Sequence, residues 1–308
     1  MHAAIVGAGA LGRVYGARLA EIARVGVDFV VRTARARTPM TLERVDERDD
    51  VLRVEAPSYV TEVPAHADVA IVCVRGEQLD DSLVALLARG PDVPAIMMTP
   101  MMPGDYERLR AALGARVIAA MPGVVAYVRH DDVVRYWLPR AAHTLVDEGK
   151  EVPTIVRELV QTMSRAGLHA QLEMGVHESN PATTVTFIPI TMALDVGGSV
   201  DGLLADDELL HLALSAASEG AELSHRIGKV APWATLLTKF LTRTTLKIGV
   251  GIAKHQSPEA VRYVDEHFGR KLHAQNVQMA RSIVELAKAK GSPHAALADL
   301  RDRLAAQT

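Results

Sequence analysis

The chain has 308 residues, 49% apolar and 23% charged, and its 34 Lys and Arg against 37 Asp and Glu leave a formal net charge of -3. That is the composition of an ordinary soluble protein with room for two cores, and it offers no basic field for nucleic acid or an anionic membrane surface. A single cysteine, Cys73, excludes an internal disulfide framework and a multi-cysteine metal site. No apolar run approaches a membrane span, and the first residues enter a strand-like segment without a basic leader, so a cytoplasmic location is expected.

Residues 3–6 make a short β-type run that breaks into Gly-Ala-Gly-Ala-Leu-Gly at 7–12, then into a helical pattern carried by Leu11, Tyr15, Leu19 and Ile22. A G-x-G-x-x-G with a strand before it and a helix after it is the dinucleotide-binding fingerprint. Gly7 permits the tight turn, Gly9 lets a pyrophosphate approach the backbone, and Gly12 lets the helix pack close on the strand. Free N–H groups from Gly9 through Ala10, Leu11 and Gly12, with the helix dipole, then hold the phosphates. The next strand, 27–32, ends in Arg32-Thr33, with Arg35 and Arg37 following. An NAD-preferring fold offers an acid to the ribose about 20 residues after the glycines. A guanidinium there forks onto a 2′-phosphate instead, so NADP(H) is the expected cofactor.

Strand and helix then alternate: strands at 68–74, 95–99 and 116–123, helices at 77–89 and 105–113. Residues 51–64 look like a small excursion, and 124–138 alternates around His130-Asp131-Asp132 like an antiparallel hairpin. A helix at 153–166 and a strand at 168–173 complete the domain. The expected class is α/β. An N-terminal Rossmann-like, doubly wound parallel sheet gains antiparallel strands at one end over 1–173, and an all-helical substrate and dimerisation domain follows over 174–308.

The glycine turn, Arg32, and the run VCVRGEQLDDSL at 72–83 resemble the ketopantoate reductase family, NADPH-dependent reductases of a 2-keto acid. A helical second domain of the same length carries the likeness over the whole layout. The resemblance implies that Arg32 binds the 2′-phosphate, that Arg75 and Gln78 contact the cofactor, and that Thr99 and Pro100 stand near the family's Asn-Gly after the fourth strand. It also implies altered catalytic positions. The family's lysine, counted back from Pro189, falls on Asn180, two asparagines fall on Thr184 and Ile188, and a late glutamate falls on Gln275. None of these can donate a proton as an ammonium does.

The segment Gly175–Gly198 joins the two halves. A polar knot, His177-Glu178-Ser179-Asn180, runs into a long apolar stretch that stops at Gly197-Gly198. Asn180 before Pro181 reads as an N-cap followed by a first-turn proline, and the glycine pair reads as the stop. In a fold of this family the knot lies at the domain boundary and faces the nicotinamide, so capping and site position are compatible. His177 is the nearest titratable group to the missing lysine and His273, beside Gln275, is a second. The candidate catalytic set is therefore His177, Asn180, Thr184 and Gln275, with no metal site expected. Beyond 198 the pattern is helical at 203–227, 231–247, 258–268 and 273–290, with 244–260 irregular.

Three functions compete: an NADPH-dependent oxidoreductase acting on a carbonyl or imine other than ketopantoate, a catalytically silent NADP-binding sensor or partner module, and a true 2-dehydropantoate 2-reductase. The partner implied by the first is a small-molecule substrate, with room for a homodimer through the helical domain. Neither nucleic acid nor a membrane is an expected partner.

Overall fold

The computed structural model describes residues 1–33, 36–46, 50–139, 142–149, 152–230, 242–256, 258–268 and 272–307. Arg35 and most of the helix expected over 231–247 lie outside them. The chain divides into two compact units, Met1–Asn180 and Pro181–Thr308.

The first unit is built on an eight-stranded sheet. In chain order its strands are β1 (His2–Val6), β2 (Gly26–Val30), β5 (Ser58–Val60), β6 (Val69–Val72), β7 (Ala95–Met97), β8 (Val117–Met121), β11 (Thr144–Asp147) and β12 (Ala170–Glu173). Across the sheet they run β12-β11-β8-β7-β6-β1-β2-β5. The six from β5 to β8 are parallel; β11 joins β8 antiparallel and β12 lies parallel to β11. The connections reverse direction beside β1, where a doubly wound sheet opens a crevice beyond its strand ends.

Both faces of this sheet are covered, so its central strands β1, β6, β7 and β8 are apolar without alternation. Ala3 and Ile5 of β1 face one core, with Phe29, Ile71 and Ile96; Ala4 and Val6 face the other, with Val30, Val72 and Met97. Helices α2 (Asp81–Arg89) and α3 (Asp105–Leu113) cover the second face through Leu83, Leu87 and Leu109. The first face receives α1 (Ala10–Glu21) and α4 (Thr154–Arg165), through Val14, Tyr15 and Leu19 and through Val156, Leu159 and Met163.

The hairpin expected at 124–138 forms, as β9 (Val125–Val128) paired antiparallel with β10 (Val134–Trp137). It does not extend the main sheet. It joins β3 (Met40–Arg44) and β4 (Val51–Val54) in a separate four-stranded sheet, order β4-β3-β10-β9. Leu42, Val54, Ala126, Val134 and Tyr136 carry that sheet onto the same core as α1. Enclosed in this way, α1 buries even its arginines, Arg13 and Arg18, at 6% and 5% exposure. Arg18 donates to Ala166 O at 2.6 Å, the Tyr136 hydroxyl at 2.8 Å and Asp50 at 3.1 Å. Arg13 reaches Asp132 at 2.8 Å and Ala8 O at 3.1 Å. Burial pushes the Tyr15 phenol well above its usual range, so it stays a neutral hydroxyl against Thr144 Oγ1, 2.6 Å away.

The second unit is helical among its described residues. Helix α5 (Val176–Gly197) leads into it, followed by α6 (Val200–Ala205), α7 (Asp207–Ile227), α8 (Arg243–Gln256), α9 (Pro258–Phe268), α10 (His273–Ala289) and α11 (Ala295–Ala305). Three sequence expectations need correction. The helix expected at 203–227 is two helices, because Asp206 stops α6 and caps α7 by accepting from Leu209 N at 2.9 Å. The stretch 244–260, expected to be irregular, is helical through Gly249 and Gly251 up to Gln256. And α5 begins at Val176, so Asn180 and Pro181 lie inside it rather than at its cap. Its end is as expected: Gly198 adopts φ +70° and returns its N–H to Asp195 O. Pro189 of α5 packs on α7 where Gly220 leaves room, a Cβ there lying 3.0 Å from its ring. Glu219 of α7 caps α11 through Ala296 N and Leu297 N. Among the described residues no helix is long and apolar enough to cross a membrane.

Candidate functional site

At the strand ends beside β1 the first unit opens a cleft of about 730 Å³ lined by Gly7, Gly9, Arg32, Arg75 and Gln78. The sequence builds its floor. Gly7 takes φ +100°, and a Cβ there would meet the Cys73 carbonyl at 3.0 Å. A Cβ on Gly12 would stand 2.0 Å from Gly7 O, so only glycine lets α1 start against the turn. Gly9 faces open space, with nothing within 4 Å of a Cβ position. Helix α1 starts at Ala10 with no side-chain cap and no acid in its first turn. Its first N–H groups and the positive end of its dipole are left for an anionic ligand.

Basic side chains stand around that floor. Arg32 follows β2 and is exposed; Arg75 follows β6, is half exposed, and has Glu77 at 3.7 Å. Gln78 folds back to accept from Arg75 N at 3.0 Å, which fixes the turn between β6 and α2. Asp80, the cap of α2, is held below the usual carboxylate range by hydrogen bonds from Ser82 and Leu83, with the charge of Arg32 adding to them. The sequence reading missed Thr33, Thr61, Ser82 and Arg89, which also line the cleft. Arg89 closes α2, and its one signal was a basic residue in that helix's last turn. Burial raises the Cys73 thiol far above its usual range, so it lines the cleft as a neutral group.

The other expected cofactor residues do not line this cleft. Ala10 and Leu11 are half-buried and Gly12 is buried; what they offer is backbone. Thr99 is fully buried and donates its hydroxyl to Val74 O at 2.9 Å. Pro100 is exposed.

The polar knot separates into two environments. His177 Nδ1 lies 2.5 Å from Asp147 Oδ2, and its ring stacks on Tyr106 with centroids 5.2 Å apart. Both rings line a cavity of about 1260 Å³ that also touches Asp92–Pro94 and Gly114–Val117, the residues leading into β7 and β8. That is the end of the sheet where the parallel strands start, opposite the glycine turn, and the cavity shares no lining residue with the cleft. Asn180, 2% exposed, accepts from Met101 N at 3.0 Å and donates to Ala120 O at 2.7 Å and Thr99 O at 3.3 Å. Its amide ties the ends of β7 and β8 together. The start of α5 is capped instead by Asp147 Oδ1, which accepts from Gly175 N and Val176 N at 3.0 and 3.1 Å.

In the second unit Thr184 and Gln275 are half-buried, and Gln275 Nε2 lies 3.7 Å from Met279 Sδ. The sequence reading named His273 but missed its partners, Asp195 and Asn276. Asp195, its side chain fully buried, accepts from Asn276 Nδ2 at 2.9 Å and meets His273 Nδ1 at 3.1 Å. His273 Nε2 and Asp195 Oδ1 are buried without a partner among the described residues. The signal was faint: one acid at the end of an apolar helix, with its amide and imidazole partners about eighty residues on.

Residues 3–134 match the family model of ketopantoate reductase PanE/ApbA. No curated protein matches the sequence. Among solved structures the chain is similar in fold to a 2-dehydropantoate 2-reductase from Geobacter metallireducens, at 17% identity and a TM-score of 0.74 with both chains covered in full. It is also similar to a dimeric ketopantoate reductase from Staphylococcus aureus, at 16% identity and a TM-score of 0.70, over 99% of this chain and 98% of that one. A D-mandelate dehydrogenase bound to NADH and anilino(oxo)acetate gives 15% identity and 0.69, over 99% and 98%. The fold is thus that of the ketopantoate reductase structures, a parallel-sheet α/β domain followed by an all-helical region.

Proposed function

We propose that the chain is an NADPH-dependent reductase of a carbonyl or imine compound other than ketopantoate. The observation that supports it is the cleft that sets the uncapped start of α1 beside Arg32 and Arg75. A dinucleotide's pyrophosphate would lie over Gly9, and its 2′-phosphate would take the guanidinium of Arg32. The bound cofactor would supply the hydride; the protein supplies orientation and a proton. Of the two candidate histidines we take His273 as the donor, because Asp195 orients its ring and its Nε2 has no partner among the described residues. His177 lines the other cavity.

Titration of both cofactors tests the first half of this reading. The unaltered protein is expected to prefer NADPH to NADH, and Arg32→Ala to weaken NADPH about ten- to hundredfold while hardly changing NADH. Equal affinity of the unaltered protein for both cofactors defeats it. Turnover over a panel of ketones, 2-keto acids and imines tests the second half. His273→Ala is expected to lower the rate by at least ~10²-fold at unchanged NADPH affinity, and His177→Ala to lower it far less; the reverse order would make His177 the donor.

A second reading, an NADP-binding module without catalysis, is favoured by Asn180. At the position where the family resemblance places a lysine, its amide is engaged by three backbone groups. Tight NADPH binding with no turnover over the whole panel would support that reading against the first.

A further inference from the structure

Three side chains meet at the end of the first unit's sheet where β1, β2 and β6 start. His2 opens β1, Asp28 lies in β2, and His66 lies in the connection before β6. Their donor atoms converge: His2 Nε2 is 2.7 Å from Asp28 Oδ2, His66 Nε2 is 3.2 Å from the same oxygen, and the two Nε2 atoms are 3.3 Å apart. We propose that His2, Asp28 and His66 bind one divalent transition-metal ion of the zinc type, as a clip across the starts of neighbouring strands.

The spacing suits such an ion. Bonds of about 2.0–2.2 Å in a tetrahedron put neighbouring donors roughly 3.3–3.5 Å apart. The His66–Asp28 and His66–His2 separations already stand close to that, and only the hydrogen-bonded His2–Asp28 edge has to open. The site is also built rather than incidental. His2 pairs with Gly26 across β1 and β2, and its ring fills the room that glycine leaves, a Cβ there lying 2.3 Å from His2 Nδ1. Ser58, paired with Asp28 across β2 and β5, hydrogen-bonds the carboxylate from outside. The two imidazoles stand edge to face, with centroids 4.3 Å apart.

Asp28 is 9% exposed and His66 63%, so one side stays open for an entering ion and a water as fourth ligand. Two imidazoles with one carboxylate favour zinc, cobalt or nickel over the oxygen-preferring magnesium and calcium. None of the three residues lines the glycine cleft, so the clip is a site apart from the proposed cofactor.

The test uses the full chain without an affinity tag, titrated with Zn²⁺ by calorimetry and with Co²⁺ by visible absorption. One equivalent is expected to bind, with an intense tetrahedral-type cobalt spectrum and a raised Tm in Zn²⁺. His66→Ala, an exposed change, is expected to lower affinity at least about tenfold and remove the rise in Tm; His2→Ala should do the same. His255→Ala, at an exposed histidine of α8, is expected to leave both unchanged. No stoichiometric uptake by the unaltered chain, or unchanged affinity in His66→Ala and His2→Ala, overturns the proposal.

Discussion

Replacing Arg18 with alanine is expected to cost the first unit about 3 kcal/mol of stability, read from urea unfolding. The guanidinium is almost wholly enclosed between two sheets and serves three acceptors at once: Ala166 O, the Tyr136 hydroxyl and Asp50. Its loss strands a buried carbonyl and leaves Asp50 with the Tyr136 hydroxyl and, as an ionic partner, Arg44, each 3.4 Å away. That remaining partner keeps the cost at the low end of the range for breaking a buried ion pair. Arg18→Lys keeps the charge without the planar fork and should fall between the two. Arg18→Met restores the apolar stem but none of the hydrogen bonds, so it should recover little. A loss below about 1 kcal/mol for Arg18→Ala would mean that this network is not what fixes α1 between the sheets.

Asn180→Ala is expected to lose roughly 2–6 kcal/mol, since each buried group left unpaired costs about 1–3 kcal/mol and Met101 N–H and Ala120 C=O are both stranded. An N-cap would cost only about 0.5–2 kcal/mol, so thermal and urea unfolding distinguish the two roles. Serine gives the sharper comparison. It replaces asparagine well as a cap but cannot span three backbone groups, so Asn180→Ser should be nearly as unstable as Asn180→Ala. A fully stable Asn180→Ser protein would return Asn180 to a capping role and contradict the geometry. Asn180→Asp keeps an acceptor for Met101 but sets a charge against two carbonyl oxygens, so it is expected to be no better than alanine.

What the sequence revealed follows how local each determinant is. The glycine turn, the hairpin and α3 were legible because their signals lie within a few residues: Gly7 with its positive φ, the His-Asp-Asp turn, and Asp105 to Leu113 between two glycines. Strands β3 and β11 were not read, being short runs with charged or polar members, MTLER and TLVD, that become strands only by pairing. The start of α5 was misplaced for the same reason. Asn180-Pro181 satisfies every local rule for a helix start, yet the groups that cap the helix belong to Asp147, at the end of a distant strand. The site divides likewise. Gly7, Gly9, Arg32, Arg75 and Gln78 line one cleft because each follows a strand of one parallel sheet. Thr99 follows one too, but its hydroxyl turns back to Val74 O. The Asp195–His273–Asn276 group and the His2–Asp28–His66 cluster have no spacing signature, since their members meet only through tertiary packing.

That dependence on Asp147 couples two elements in folding. Helix α5 carries Pro181 and Pro189, neither of which can return an N–H to the preceding turn, so the segment has little autonomous helicity. Its opening amides find their acceptor only once β11 is placed, with β12 zipped beside it. The edge strands and the first turn of α5 therefore behave as one cooperative unit: fraying of the β11–β12 pair releases the amides of Gly175 and Val176 in the same event. A perturbation at this sheet margin, however far from the glycine turn, thus melts the beginning of the helix on which Asn180 rides.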